Sequence, residues 1–188
     1  AARAHNVVLV DGQDPDTHQR DGQLLHWSTS PVADLFSARH CGYLATKGVT
    51  HRRTILFVRD DYWVVHDDLH QGAGSHRFDW LLHLPNEFSL SHGAALPTAG
   101  PGLVVLPVVP QDGGLEESDG GVMLVPGPRA YAGAAERRQV RTVRHTVTSA
   151  QPRLALMHLL RPLPPGQDPD MVRAQPLSLS GSPGEACY

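Results

Sequence analysis

"GYLATKGVTHRRTILFVRDDYWVVHDDLHQGAGSHRFDWLLHLP", residues 42–85, decides the fold class. Thr54 to Val58 and Tyr62 to His66 are apolar runs joined by Arg59-Asp60-Asp61, a short polar link of the kind that closes a β-hairpin. Gly72-Ala73-Gly74-Ser75 then breaks the chain before His76 to Leu84, where Phe78, Trp80 and Leu82 share one face of a strand and Arg77 and Asp79 the other. Ile55, Phe57, Val64 and Trp80 are the expected core residues of this region.

Outward from it, "AHNVVLVDGQDPD", residues 4–16, reads as a strand, Val7 to Val10, entered by His5-Asn6 and closed by Asp-Gly and Asp-Pro turn residues. With no lead-in before it, the domain is expected to be N-terminally truncated. Residues 17–40 are polar and irregular, with Leu24 to Trp27 as a candidate strand. Leu103 to Val109 carries Pro107, which points to an edge strand or a bulge. Residues 111–121, "QDGGLEESDGG", read as a flexible acidic loop. Val122 to Val125, Arg138 to Val147 and Leu154 to Leu160 follow as strands. From Arg161 on, Pro, Gly and Ser predominate, which predicts a loosely held tail. Many short strands in one chain predict an all-β fold, an antiparallel β-sandwich over residues 1–165 followed by a tail over 166–188.

Composition narrows the function. A chain of 188 residues is long enough for one sizeable core, and its 18 glycines and 16 prolines disfavour long helices. A formal charge of −3 gives no global basic field, so nucleic acid is not an expected partner. No apolar run reaches the roughly 18 to 20 residues of a membrane span, so a membrane is not expected either. Cys41 and Cys187 are too few for a disulfide framework or a zinc knuckle.

The ordered set of features in residues 3–85 resembles the C-terminal β-sandwich region of the heparinase II/III-like family of polysaccharide lyases. These features are the His5-Asn6 strand ending in Asp11-Gly12, the His51-Arg52-Arg53 hairpin ending in Val64-Val65-His66-Asp67, and the Gly-rich turn before a His-containing strand. "QPRLALMHLLRP", residues 151–162, is similar to the family's closing strand. Val7 departs from the pattern, which more often has Thr after the Asn.

The resemblance implies a parent enzyme in which an N-terminal α/α toroid packs on the sandwich. Uronic-acid polysaccharides, heparan sulfate-like or alginate-like, would be held between them and cleaved by β-elimination, in the periplasm or outside the cell. That reaction needs a base, an acid and a neutralised carboxylate. In the family these come largely from a Tyr and a His of the toroid and a His upstream, motifs not found here, so no catalytic residue is assigned and the chain alone is expected to be inactive. A toroid covering one sheet face would also leave an apolar patch larger than a few hundred Å² on the sandwich alone.

The resemblance further implies a zinc cofactor held by a His-x-His segment, an Asp on the next strand and the His of the His-Asn motif, which is His5 here. Imidazole and carboxylate suit four-coordinate zinc, and adjacent strands lie about 5 Å apart, close enough to share it. By spacing alone, His5 reads first as a strand-entry histidine bonded to a backbone group; the resemblance is what moves the reading to the metal role.

The bland reading is preferred for the other polar groups. His66 to His70, "HDDLH", and the pair His76/His83 have diverging side chains. His51-Arg52-Arg53 is a solvated strand entry that would otherwise meet a uronate or sulfate. Asp67 and Asp68 are turn formers, and Trp27, Trp63 and Trp80 are core residues rather than sugar platforms. The arginines of 137–144 guard an edge strand or bind a polyanion. The competing function class is a non-catalytic carbohydrate-binding or structural β-sandwich, distinguished by whether the upstream motifs exist.

Overall fold

The computed structural model describes residues 2–16, 18, 22–85, 88–91, 94–97, 101–109, 115–126 and 135–174. Twelve strands lie among these residues: β1 (Val8–Val10), β2 (Gln23–Thr29), β3 (Ala33–Tyr43), β4 (Val49–Val58), β5 (Tyr62–Gln71), β6 (His76–Pro85), β7 (Phe88–Ser91), β8 (Ala94–Pro97), β9 (Gly102–Val109), β10 (Leu115–Pro126), β11 (Ala135–Ser149) and β12 (Arg153–Leu163). One helical turn, α1 (Leu44–Lys47), joins β3 to β4. The strands form two antiparallel sheets, a small one in the order β1-β6-β11-β10 and a large one in the order β2-β3-β4-β5-β12-β9-β8-β7.

The hairpin expected from residues 54–66 is present and longer than the apolar runs alone indicate. β4 and β5 pair from Val49↔Gln71 to Val58↔Tyr62. Asp60 takes the left-handed conformation at φ 61° in the connecting turn, a conformation Asp tolerates better than most residues.

Alternation then sorts the side chains. Trp63, Val65, Leu69, Leu156 and Leu160 face inward and meet Val8, Val10, Phe78, Trp80, Leu82 and Val143 of the small sheet. Trp80 is a core residue as expected, but Ile55, Phe57 and Val64 are only half-buried. Val64 lies one residue out of step with Trp63 and Val65, so it points to the outer face. Ile55 and Phe57 are inward by parity, and the Phe57 ring stacks on Trp63 at 4.7 Å and 12°. Trp63 packs against the core from a half-buried position, whereas Trp27, on the outermost strand β2, is 64% exposed with Phe36 edge-on at 5.9 Å. Leu24, Leu25 and Val32 are exposed at the same margin of the large sheet.

Four further expectations change. The candidate strand Leu24 to Trp27 is present within β2, but residues 33–40 of the span expected to be irregular are also strand, paired along Gln23↔Arg39 to Thr29↔Asp34. Residues 115–121 of the expected acidic loop belong to β10, because β11 offers a 15-residue partner, with Glu116 opposite Arg144 in the register. A bulge at Gly120-Gly121 absorbs one residue; residues 111–114 lie outside the described set. β11 pairs with β6 on one side and β10 on the other, so its arginines do not guard an edge. Of the two placements expected for Pro107, the bulge holds and the edge does not: it lies at a bulge in β9, an interior strand between β12 and β8.

The C-terminal part is held as far as it is described. β12 continues to Leu163, and residues 164–172 lie back over the outer face of the large sheet. There Val172 and Leu163 bury with Val104 against Leu106 and Leu159. Asp168 caps the turn Pro169–Met171 by accepting the Asp170 N–H at 2.9 Å. Residues 175–188 of the expected tail, with Cys187, lie outside the described residues. Cys41 is a free thiol.

Candidate functional site

His5 and Asn6 form a corner where the two sheets are tied together. A single 3-10 turn, Ala2–Ala4, precedes them, and the His5 N–H donates to the Ala2 carbonyl at 2.8 Å, leaving the His5 residue exposed. Asn6 makes the cross-links. Its Oδ1 accepts the backbone N–H of His83 on β6 at 2.8 Å and lies 3.2 Å from the His83 Nδ1. Its backbone carbonyl accepts the Arg53 Nη1 from β4 at 2.6 Å. Burial lowers the pKa of His83; the Arg3 carbonyl works against that and the neighbouring His5 adds to it.

Beneath this corner runs a buried polar chain. Arg53 grips Asp67 of β5 with a fork, Nε to Oδ1 at 2.7 Å and Nη2 to Oδ2 at 3.0 Å. The His51 Nε2 meets the same Oδ1 at 2.6 Å, and the His40 Nε2 meets the His51 Nδ1 at 2.9 Å. The direction of the protons follows from the far end. The Gly42 N–H donates to the His40 Nδ1 at 3.2 Å, so His40 carries its proton on Nε2 and donates it to His51. His51 in turn carries its proton on Nε2 and donates to the carboxylate. Burial alone would raise the pKa of Asp67, but the Arg53 charge and the hydrogen bonds from His51 and Arg53 hold it far below the usual carboxylate range. Burial, reinforced by His51 and Arg53, pushes His40 down to about 4.

A second buried pair lies deeper in the core. His158 of β12 meets the His145 Nδ1 of β11 through its Nε2 at 2.9 Å, and Trp80 stacks on His158 at 3.8 Å. Burial pushes His158 down to about 3, with the neighbouring His145 adding to the effect. His40 and His158, both shifted well down, are neutral at ordinary pH and act as hydrogen-bonding groups that tie strands together.

These contacts revise two sequence expectations. Asp67 and Asp68 lie in β5 and not in a turn, each almost fully buried, one facing inward to Arg53 and the other outward to Arg52 and Arg153. His51-Arg52-Arg53 is interior to β4, with His51 buried, rather than a solvated entry. The network was detectable in principle: His51, Arg53 and Asp67 fall on one sheet face once β4 and β5 are in register, and a buried carboxylate there requires a cation. The His145–His158 contact has no such signal, because it depends on how the two sheets pack.

Among the described residues no cluster of three His, Cys, Asp or Glu side chains could hold a metal ion. His5 is exposed, and its imidazole is of the chemical type that zinc takes as a ligand. The remaining ligands of a four-coordinate site would have to come from outside the described residues.

Fold and corner together define a two-sheet antiparallel β-sandwich. The family model for the heparinase II/III-like C-terminal domain matches residues 1–154, and the chain belongs to that family. No protein of curated function matches the sequence. Among solved structures, heparan sulfate lyase HepC from Pedobacter heparinus is similar at 16% identity with a TM-score of 0.71, covering 88% of this chain and 25% of that one. A heparinase III is similar at 16% identity with a TM-score of 0.61, covering 89% and 24%. The chain therefore spans about a quarter of the length of these lyases.

Proposed function

We propose that this chain is the β-sandwich part of a polysaccharide lyase that cleaves uronic-acid glycans, heparan sulfate-like or alginate-like, by β-elimination. An α/α toroid of the same parent would form the other wall of the cleft. The observation that carries the reading is the family match over residues 1–154, and the fold shared with heparan sulfate lyase HepC supports it. In such an elimination a base takes the proton from the carbon beside the uronate carboxylate, the 4-linked sugar leaves, and the carboxylate must be neutralised as charge develops on it. Base and acid belong to the toroid in this reading, and the sandwich supplies a rigid wall.

His5 is proposed to donate one ligand to a zinc ion shared with residues outside the described set. Bound there, the ion would contribute a fixed positive charge and pin the wall to the rest of the parent. Arg53 and His83 keep His5 in place by holding Asn6 from both sheets. A polymeric substrate cannot cross a membrane, which favours a periplasmic or secreted parent. The zinc assignment is tested by elemental analysis of the parent and its His5→Ala variant. Loss of bound zinc in the variant is expected; unchanged zinc would make His5 an ordinary strand-entry histidine.

A further inference from the structure

On the outer face of the large sheet the charges do not balance. Asp68 of β5 is almost wholly covered by the cations around it, its side chain 2% exposed. It accepts Arg52 Nη2 of β4 at 2.9 Å and a fork from Arg153 of β12, Nε at 2.7 Å and Nη2 at 3.0 Å. The His70 Nε2 lies 3.3 Å from the same carboxylate. The arginine side chains remain 42% and 60% exposed, so their guanidinium groups form the surface and the carboxylate lies beneath it. Arg39 of β3 stands directly opposite Arg52 in the β3–β4 register. It is exposed and has no hydrogen bond or ion pair with a described residue.

Two guanidinium groups share the Asp68 carboxylate and a third, Arg39, stands beside them with none, so among the described residues this strip carries more positive than negative charge, in a chain whose net charge is −3. Like charges directly opposite on neighbouring strands destabilise a sheet. Asp67, on the inner face of the same strand, is by contrast matched by Arg53 and His51. We propose that Arg39, Arg52 and Arg153 form an anion-binding strip on the outer face of the eight-stranded sheet, which takes the carboxylate or sulfate-ester groups of an acidic glycan. Guanidinium forks suit both groups. The strip crosses β3, β4, β5 and β12, three inter-strand steps or roughly 14 Å, so it can meet acidic groups on more than one sugar of a chain. The glycan class rests on the lyase reading above; the strip itself needs no elimination chemistry.

The experiment measures the salt needed to elute the 188-residue chain from immobilised heparin, followed by calorimetric titration with heparin, desulfated heparin and polymannuronate oligosaccharides. The wild-type chain is expected to bind. Arg39→Ala with Arg153→Ala is expected to weaken binding about tenfold, while Arg173→Ala, which removes an exposed arginine outside the strip, leaves it unchanged. Binding of heparin alone assigns the strip to sulfate esters; binding of all three assigns it to carboxylates. Arg39→Ala alone removes an exposed side chain without a partner among the described residues, so weaker binding at an unchanged melting temperature in this single variant separates lost binding from lost fold. No binding by the wild-type chain, or equal weakening by Arg173→Ala, overturns the inference. A parent that binds through the strip but yields no unsaturated product would contradict the lyase reading and leave the strip standing.

Discussion

Asp67 carries a buried charge on an inner strand, and the chain meets it with a bidentate arginine and a histidine. Removing one partner from such a site leaves a charge that neither water nor protein compensates. Arg53→Ala should therefore lower unfolding stability by about 3 to 5 kcal/mol in denaturant titrations, whereas Arg59→Ala, which breaks the surface pair with Asp34 and a hydrogen bond to the Ser30 carbonyl, should change it by less than about 1 kcal/mol. Equal effects would mean that the Asp67 network does not bear on the fold. The sequence concealed this site because a pair of aspartates after an apolar run resembles a turn. Burial and a cross-strand arginine overrode the local preference of Asp.

The histidines set a pH window at the same scale. Folding lowers His40 from 6.5 to about 4 and His158 from 6.5 to about 3. Below pH 6.5 the unfolded chain takes up protons that the folded chain refuses, so stability should fall as pH drops from 6.5 toward 4. Asp67 works in a lower window: with its pKa depressed below 3.8, its contribution is kept above that value and lost beneath it. Denaturation midpoints measured across this range should decline, and less steeply in His158→Gln. A flat profile above pH 4 would contradict the buried, neutral assignment.

Strand elements were legible where apolar pattern and turn chemistry agreed. The β4–β5 hairpin is the clearest case, since two apolar runs around Arg59-Asp60-Asp61 admit few alternatives. β3 was less legible because Asp34, Ser37, Arg39 and His40 dilute its pattern, and β10 because Glu116, Glu117, Asp119 and two glycines look like a loop until β11 supplies opposite charges in register. Pairing partners distant in sequence decide such strands. Near the end of β3, Gly42 shows how tightly one contact is made. A Cβ there would lie 2.7 Å from the Pro15 Cβ and 3.3 Å from the His40 Nδ1. Gly42→Ala should cost about 1 to 3 kcal/mol through overpacking and shift the His40 ring resonances in NMR spectra. A variant as stable as the wild type, with unmoved resonances, would show that the contact yields freely.

At the scale of the whole molecule, two sheets of unequal width share one core, and the wider sheet leaves Trp27, Leu24 and Leu25 exposed at its margin. The sandwich class was readable from strand count and turn spacing, but which faces stay uncovered depends on strand order, which the sequence does not display. The same holds for the site: His5-Asn6 was visible as a motif, while its mounting by Arg53 and His83 required the fold. The most direct test of the proposed role follows ultraviolet absorbance of unsaturated uronate. Heparan sulfate and alginate would each be incubated with the 188-residue chain and with the parent protein that joins this sandwich to its toroid. The account predicts product from the parent on at least one of the two glycans and none from the sandwich alone. Product from the sandwich alone, or none from the folded parent on either glycan, would contradict it.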